Sequence, residues 1–198
     1  FTYSAQPFIA QVSAKNSAGA VTQNYDTSAG YSNAVTLSDG NAVAGGVLAN
    51  TMVPAALFAS GVASTPSPTT LASPGYAFTV VQTAPATIRL RATENAGGDS
   101  VSSATGTEDT MEIRSGRLVL GNAHGSELLG LTIPVTTQFW VAGGFYTTNT
   151  VDDCTMIPAS SIVMSAYTKN LAPCETQLSP TGDMTFVNGV LPAPLNLS

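Results

Sequence analysis

Apolar and polar side chains alternate along several stretches of this chain, and the alternation predicts β-strands. Between Phe8 and Lys15 the apolar side chains at every second position alternate with Gln11, Ser13 and Lys15. A two-residue period of this kind is typical of a strand with one buried face. The same reasoning predicts further strands, bounded by turn residues, at 33–38, 76–82, 86–93, 110–120 and 182–195.

The stretch from 131 to 150 predicts a β-hairpin. Val135 and Phe139 face one way, and Gln138 and Trp140 face the other. The pair Gly143–Gly144 then supplies a two-glycine turn before a second strand. Pro134 lacks a backbone N–H, which indicates an edge position or a bulge in the first strand. One more strand is predicted at 160–168, "SSIVMSAYT".

No stretch shows a sustained helical period, so the chain is predicted to be all-β with little or no helix. Residues 48–63 leave open a short helical turn or a strand. Strands that recur about every 8–12 residues are typical of sandwiches, so we expect two antiparallel, Ig-like β-sandwich domains in tandem. The small, polar, aperiodic stretch 94–109 is the predicted boundary, which gives domains at 1–105 and 106–198.

Charged residues are scarce, and their scarcity narrows the classes of partner. They make up 9% of the 198 residues, against about 25% in typical soluble domains. The six Lys and Arg residues are scattered and the net charge is −6, so nucleic acid and anionic membrane surfaces are not expected partners. No apolar run approaches the roughly 20 residues that span a bilayer. The opening at Phe1 indicates a processed chain or part of a longer protein.

Cys154 and Cys174 are the only cysteines. In a low-charge chain rich in Ser and Thr, such a pair predicts a disulfide formed in an oxidising compartment, with two buried thiols as the alternative. Closing this loop would stabilise the fold by about 3 kcal/mol if the effect is chain entropy. A metal site is not expected, because no C-x-x-C motif or nearby His supplies further ligands.

The only histidine, His124, stands in "GNAHGSE" with Ser126 and Glu127 close behind. A serine hydrolase needs a nucleophile, a base and a group that orients the base. The G-x-S-x-G elbow is absent, and the bounding glycines are more typical of a chain reversal. We therefore expect a turn at 121–126 with His124 on the surface, Glu127 as an acceptor of backbone N–H groups, and no enzyme chemistry.

Two acidic pairs, Glu108–Asp109 and Asp152–Asp153, are expected in solvated loops. Adjacent acids on a strand point to opposite faces, so neither pair forms a general acid–base couple by itself. Weak Ca²⁺ binding at Asp152–Asp153 is the alternative, although no Asp-x-Asp-x-Asp spacing is present.

A few aromatic residues lie together in the predicted hairpin. Trp140, Phe145 and Tyr146 are candidates for a sugar-stacking platform, and the competing interpretation is a hairpin core with one amphipathic edge. Phosphate-binding loops, dinucleotide fingerprints and metalloprotease helices are all missing, so no cofactor and no catalytic residue is predicted.

Residues 110–155 resemble a known family. The matching positions are Gly116, Arg117, Leu118, Leu120, Asn122, Ala123, Gly125, Ser126, Glu127, Leu128, Pro134, Gln138, Trp140, Phe145, Asn149, Asp153, Cys154 and Thr155. This pattern is similar to the uncharacterised C-terminal domain of MshQ-like proteins, which are assigned to MSHA pilus biogenesis. The segments "FTYSAQPF" and "AKNSAGAVTQNY" resemble the region upstream of that domain, and the second is similar to Ig-like bacterial surface repeats.

The resemblance implies a β-rich, exported, surface- or pilus-associated segment of a larger protein, without established catalytic residues. With the composition, it predicts a non-enzymatic structural or adhesive module at the bacterial cell surface, whose partners are other protein subunits. The segments 2–14 and 186–198 are candidates for joining subunits into a filament through strand edges. A carbohydrate- or calcium-dependent recognition module is the alternative.

Overall fold

The computed structural model describes residues 1–66, 72–96, 100–126, 129–166, 175–179, 182–193 and 195–197. Over these residues the chain is all-β, as predicted, with short strands in several sheets and helical turns that are brief 3₁₀ turns. Within the same residues no helix is long and apolar enough to cross a membrane. The chain divides into two compact units, Phe1–Ser115 (unit 1) and Gly116–Ser198 (unit 2).

The described residues of unit 1 form ten strands. They are β1 (Thr2–Tyr3), β2 (Gln11–Ser13), β3 (Val35–Asp39), β4 (Gly46–Ala49), β5 (Met52–Val53), β6 (Val62–Ser64), β7 (Gly75–Phe78), β8 (Ala86–Glu94), β9 (Val101–Ser102) and β10 (Thr110–Arg114). The largest sheet has the order β1-β10-β8-β3-β5, with β9 paired to β8, and two smaller sheets pair β2 with β6 and β4 with β7. The β1–β10 pairing is parallel, whereas the other pairings of this unit are antiparallel.

The alternating stretches supply the core of unit 1, as their period predicts. Ile88 of β8 and Ile113 of β10 are fully buried, and Tyr76 of β7 packs in the same cluster. Phe8 and Ala10 are buried there too. Burial of each large apolar side chain contributes about 1.5–3 kcal/mol, so this cluster is the main source of stability of the unit.

For residues 48–63 the sequence leaves open a short helical turn or a strand, and the structure contains both. Strands β4, β5 and β6 occupy parts of this region, and a 3₁₀ turn at Ala55–Leu57 separates β5 from β6. The N–H of Phe58 closes that turn on the carbonyl of Ala55, and the Phe58 side chain is buried in the core of unit 1.

In unit 2 the part of the chain that the structure describes contains eight strands. They are β11 (Gly116–Leu120), β12 (Leu131–Ile133), β13 (Val135–Val141), β14 (Phe145–Thr148), β15 (Met156–Ile157), β16 (Leu178–Ser179), β17 (Met184–Thr185) and β18 (Leu195–Leu197). They form three sheets with the orders β11-β13-β14, β12-β18-β16 and β15-β17. The hairpin prediction is confirmed, because β13 and β14 are antiparallel neighbours joined across Gly143 and Gly144.

Pro134 lies where the chain passes from one sheet of unit 2 to another. It separates β12 from β13, so the missing N–H falls between two ladders and not within one. The core between these sheets is small and centres on Phe186, which is fully buried. The other buried members of this cluster are Val135, Ile157, Met184, Leu191 and Leu195.

Several strand predictions are wrong in extent. The strand predicted at 110–120 is divided at Ser115 into β10 of unit 1 and β11 of unit 2. The predicted strand at 160–168 is a 3₁₀ turn at Ala159–Ser161 and then irregular chain to 166, where Val163 is 79% exposed. The strand predicted at 76–82 ends at Phe78. The stretch predicted as one strand from 182 to 195 contains only the short β17 and the start of β18, separated by a tight turn. Val80, Val81 and Val163 are exposed, so the first two runs lack an opposing surface to pack against. The run at 182–195 does supply core residues, and it is interrupted by the turn instead.

The boundary between the units falls at 115/116, whereas the sequence places a domain boundary at 105/106. The polar stretch before β10 folds back onto unit 1, because β9 pairs with β8 and the N–H of Ser103 donates to the carbonyl of Ala92. Strand β10 then pairs with β8, so it belongs to the sheet of unit 1. Whether the two units are Ig-like sandwiches stays a prediction.

Candidate functional site

Four polar and aromatic side chains share one face of the sheet β11-β13-β14, and we call this set the aromatic–arginine face: Arg117, Gln138, Trp140 and Tyr146. Their positions follow from the register, which places Arg117 opposite Gln138 and Trp140 opposite Tyr146. Because side chains in register lie on the same face, the hairpin brings together residues that are distant in sequence.

The four side chains contact one another closely. The rings of Trp140 and Tyr146 meet edge to face, with centroids 4.9 Å apart and an interplanar angle of 87°. The guanidinium of Arg117 lies 4.1 Å from the Tyr146 ring centroid. It also donates from Nε and Nη2 to the Gln138 Oε1 at 2.9 and 2.8 Å. One face of the tyrosine ring is therefore covered by a cation.

The third aromatic residue of the predicted platform lies elsewhere. Phe145 is opposite Val141, so it occupies the other face of the sheet, and it is 60% exposed. The structure thus brings Trp140 and Tyr146 together and separates Phe145 from them. Arg117 and Gln138 match the family pattern, but the sequence analysis does not predict them as members of this site; the register of β11 with the hairpin is the signal that would have found them.

This face combines two properties that recognise polar ring-shaped ligands. An aromatic surface stacks on the apolar side of a sugar ring, and a planar guanidinium beside an amide offers several hydrogen-bonding groups. The indole Nε1 of Trp140 is buried and has no hydrogen-bond partner within the described part of the chain. The arrangement is thus chemically suited to binding and contains no nucleophile–base pair.

The acidic loop after β14 is built around a buried carboxylate. Asp152 is 2% exposed, so the expectation of a solvated loop is wrong for this residue. Its Oδ1 accepts the N–H groups of Cys154 at 3.3 Å and Thr155 at 2.9 Å, and its Oδ2 accepts the Thr155 hydroxyl at 2.8 Å. The neighbouring backbone donors make burial of this charge possible, since each satisfies one of its lone pairs.

The pKa of Asp152 reflects two opposing influences. Burial raises the pKa, but hydrogen bonds from Thr155, Thr137 and the Cys154 N–H outweigh it, so the pKa lies below the ordinary value. The carboxylate is therefore ionised in the folded protein at neutral pH. Its role in this geometry is to hold the loop 152–155 in shape.

The loop is tied to a tight turn at 187–190 that the sequence analysis did not identify. Val187 and Val190 exchange backbone hydrogen bonds of 2.9 and 3.1 Å, and Asn188 and Gly189 between them both have positive φ. Asn-Gly in this setting is a standard signal for a two-residue hairpin turn. The signal was present in the sequence, but the stretch was interpreted as one continuous strand.

Several hydrogen bonds connect this turn to its surroundings. The N–H of Gly189 donates to the carbonyl of Asp152 at 3.0 Å, and the Gly189 carbonyl accepts from the Thr137 N–H at 2.9 Å. The N–H of Asn188 donates to Asp153 Oδ1 at 2.6 Å. We call the turn 187–190 together with the loop 152–155 the Asp152 clamp.

The two acids of the clamp point to different partners. Asp152 is engaged by its own loop, and Asp153 by the turn. Over the described residues there is no group of three or more His, Cys, Asp or Glu side chains that would hold a metal ion. Calcium binding at this loop stays a prediction.

In unit 1 the first acidic pair also departs from the solvated-loop expectation. The side chain of Glu108 is fully covered, and its Oε1 accepts from Arg91 Nε at 2.8 Å and from the Ser103 hydroxyl at 2.8 Å. The hydrogen bond from Arg91 lowers the pKa of Glu108 against the opposing effect of burial. Glu108 therefore fastens the returning segment before β10 to β8.

The remaining candidates from the sequence lie on the surface or outside the described residues. His124 and Ser126 are exposed in irregular chain between β11 and β12, whereas Glu127 lies outside the described residues. Cys154 is exposed at the end of the acidic loop. Cys174 lies outside the described residues, so the disulfide stays a prediction.

Unit 1 also contains a groove of about 590 Å³ that the sequence did not indicate. Apolar side chains of Val12, Tyr25, Val35 and Phe58 line it, and Lys15 and Glu94 stand among its polar residues. These residues come from separate strands and loops, so no local pattern in the sequence could have revealed the groove.

The comparison with known families found one matching family model for each unit. A model of the third domain of DUF6701 matches residues 1–115, and a model of the fourth domain of DUF6701 matches residues 114–194. The chain belongs to the DUF6701 family. The two matches meet where the structure divides into its units. No curated protein and no solved structure matches this DUF6701 chain.

Proposed function

We propose that the chain is a non-enzymatic structural and adhesive segment of a bacterial surface protein, of the kind represented by MshQ-like, pilus-associated proteins. One observation carries the proposal. The third- and fourth-domain matches abut at residues 114–115, beside the structural boundary at 115/116, so two modules of a series follow each other without a linker. Such a direct succession suits a stalk or scaffold, because modules without long linkers transmit position along the chain.

The composition supports an extracellular location for this proposal. The chain has few charged residues, and Ser, Thr, Asn and Gln supply much of its polar surface. A catalytic role is not needed to explain Asp152 and Glu108. Each carboxylate accepts hydrogen bonds from backbone or side-chain donors of the fold itself.

The proposal is tested on intact bacteria that produce the full-length natural protein. Protease added outside the cells should remove the epitopes of both units, whereas a cytoplasmic marker protein should survive. Epitopes that survive until the cells are lysed would contradict the surface location. The same cells, labelled with antibody and viewed by electron microscopy, test whether the segment lies along a filament.

The filament version needs strand edges that are free to pair. Of the segments predicted for this purpose, β18 is paired on both sides, with β12 and β16, whereas β1 is at the end of its sheet but is only two residues long. Strand β11 is at the end of its sheet in the described structure, and Leu118 and Leu120 on it are 43% and 52% exposed. We therefore place edge-to-edge joining of copies at β11.

Lysine at both leucine positions provides the test of this version. Leu118→Lys with Leu120→Lys puts two charges on this edge strand. Because the two positions lie in register with the buried Thr137 and Val135, circular dichroism first establishes that the double variant folds, and its self-association should then be lost. Sedimentation measures the association. Equal association of the double variant and the natural chain would rule out β11 as the joining edge.

A second candidate function, carbohydrate recognition, rests on the aromatic–arginine face. The observation that favours it is the contact of Trp140, Tyr146 and Arg117 on one face of the sheet. Trp140→Ala should abolish binding on a glycan array, whereas Phe145→Ala, on the opposite face of the same hairpin, should leave binding unchanged. Unaltered binding by Trp140→Ala would exclude this site.

A further inference from the structure

Strand β1 of unit 1 pairs with the last strand of the same unit, and the two run parallel. Thr2 is opposite Ile113 and Tyr3 is opposite Arg114. The Ser4 N–H extends the pairing by donating to the carbonyl of Arg114 at 2.8 Å. Parallel strands form evenly spaced, slanted hydrogen bonds between them.

Side chains cover this pair of strands. The guanidinium of Arg114 lies 4.9 Å from the ring centroid of Phe1, and the rings of Phe1 and Tyr3 meet edge-on at 5.6 Å. Arg114 also donates to Glu112 Oε1 at 2.6 Å. These contacts hold Phe1 beside the end of β10 and add resistance to sliding of one strand past the other.

The partner strand β10 is fixed to the rest of unit 1. It pairs with β8 over four residues, from Thr110 opposite Arg89 to Ile113 opposite Ala86. Ile113 is completely buried in the core cluster. A pull along β10 is therefore resisted by both a ladder and a buried side chain, so β10 stays in place while β1 is loaded.

A second attachment lies directly behind β1. The N–H of Ala5 donates to the carbonyl of Tyr76 at 2.8 Å, and the N–H of Phe8 donates to the carbonyl of Pro74 at 2.9 Å. The Phe8 side chain is 8% exposed and belongs to the core. Under a pull from the N-terminal side, the hydrogen bonds of residues 5–8 therefore carry load only after β1 has detached from β10.

The direction of tension decides how the β1–β10 bonds are loaded. Unit 2 begins at Gly116, immediately after β10, so tension along the chain pulls β10 towards its C-terminal end. The same tension pulls β1 towards its N-terminal end. Because the strands are parallel, these pulls slide one past the other, and all bonds between them must yield together instead of one by one.

We propose that unit 1 is a load-bearing module in which the β1–β10 pair is a shear clamp, the structure that resists tension along the chain before any other part of the unit extends. This inference goes beyond the proposed function, since it concerns the mechanics of the folded chain and holds wherever the protein is located. The force at which a domain unfolds depends on the activation barrier to unfolding along the direction of pulling. The clamp therefore determines the rate of unfolding under tension and not the equilibrium free energy of unfolding.

Unit 2 provides an internal reference. Its first strand β11 pairs with β13, and its last strand β18 pairs with β12 and β16, so these two end strands belong to different sheets. In the described part of unit 2 the first and last strands are therefore not paired with each other, so tension along the chain does not shear them apart as it shears β1 from β10. We expect unit 2 to unfold at the lower force.

Single-molecule force measurements on the whole chain test the clamp. With handles at residues 1 and 198, the two events are told apart by length, since 115 and 83 residues release roughly 400 and 290 Å of extended chain. The longer event should occur at the higher force. Moving the first handle to the exposed Ser17 bypasses β1 in an otherwise unchanged fold, and the force of the longer event should then fall clearly.

Two matched variants sharpen the result. Ser4→Pro removes the N–H that bonds to β10, and Ala14→Pro removes an N–H that bonds to the carbonyl of Gly61 outside the clamp. Pulled from the ends, Ser4→Pro should lower the force far more than Ala14→Pro at a comparable loss of equilibrium stability. Equal forces from the residue 1 and Ser17 handles would overturn the proposal, and this comparison stands even if a proline variant does not fold.

Discussion

Unit 1 joins its first and last strands directly within one sheet, whereas unit 2 places its end strands in different sheets and connects its parts through loops. In unit 1 the β1–β10 and β10–β8 ladders run through a core that includes Ile88 and Ile113. In unit 2 the smaller core around Phe186 is supplemented by the Asp152 clamp. Two all-β units of one chain thus reach stability by different balances of apolar burial and buried hydrogen bonds.

The difference teaches where each unit is vulnerable. A unit held by ladders loses little when one polar side chain changes, because the backbone bonds remain. A unit held by a buried carboxylate depends on a few atoms, since removing one partner leaves buried donors unsatisfied. Variants that disable the Asp152 clamp should therefore destabilise unit 2 and leave unit 1 unchanged, and an equal loss in both units would break the comparison. The predictions below run from the largest effect to the smallest.

The largest effect is expected at Gly189 of the clamp. Its φ is +72°, and an added Cβ would overlap the carbonyl oxygen of Asn149, so Gly189→Ala combines backbone strain with a direct clash. We expect a loss of roughly 3 kcal/mol or more in the stability of unit 2. Urea unfolding followed by fluorescence measures it, because Trp140 is the only tryptophan and lies in unit 2.

Gly144 provides the matched control for this variant. Its φ is +94°, but an added Cβ would meet no atom within 4 Å. Gly144→Ala should therefore cost only the conformational penalty, about 1 kcal/mol. Equal losses for the two variants would mean that the crowding of the turn against Asn149 contributes nothing.

The next effect is expected at the buried carboxylate itself. Asp152→Asn keeps the size of the side chain but replaces an accepting oxygen by an N–H₂ group that faces the Thr155 hydroxyl. We expect unit 2 to lose about 2 kcal/mol, in the range measured for hydrogen bonds to charged groups. Asp153→Asn is the control, since its Oδ1 can still accept from Asn188 and the expected change is within about 0.5 kcal/mol.

Acid should weaken unit 2 through the same carboxylate. The pKa of Asp152 is lower in the folded protein than in the unfolded chain, so the unfolded chain takes up the proton first as the pH falls. The stabilisation is complete above about pH 4, the ordinary range of this carboxyl, and is lost as the pH drops through the lower folded pKa. Fluorescence-detected unfolding from pH 6 to pH 2 should show this loss, and Asp152→Asn should remove its share of it.

The smallest effect is expected from the covered ion pair of unit 1. Glu108→Gln weakens the contact with Arg91, so the transition of unit 1 should move slightly to lower urea while the Trp140 signal stays in place. Glu112→Gln is the control, because Glu112 pairs with Arg114 at a more exposed position and such pairs contribute little. Circular dichroism follows both units, and a shift in the Trp140 signal would show that the units are coupled.

The sequence was sufficient for the all-β class and for the strands whose side chains alternate. Ile88 and Arg89 in β8, and Val135 and Thr136 in β13, follow the predicted faces because a half-buried strand imposes a two-residue period. The run at 160–166 was misassigned because apolar content without alternation does not distinguish a strand from an exposed irregular segment, as Val163 shows.

The site was less predictable, for a physical reason. Trp140 and Tyr146 could be found because a hairpin fixes their register locally, whereas the contact with Arg117 depends on β11, which lies on the other side of β13. The burial of Asp152 depends on backbone donors around it, and residue identities alone do not show which N–H groups point inwards. Within the Asp152 clamp, the Asn188–Gly189 turn is the part that has a readable local signal in the sequence.

The central claim is that this chain consists of two separately folded β units joined in series. Equilibrium urea unfolding of the whole chain, followed at once by Trp140 fluorescence and far-UV circular dichroism, tests it most directly. We predict two steps in circular dichroism, of which only the step at lower urea coincides with the fluorescence change. A single transition, superimposable in both signals and shifted as a whole by Asp152→Asn, would contradict the claim.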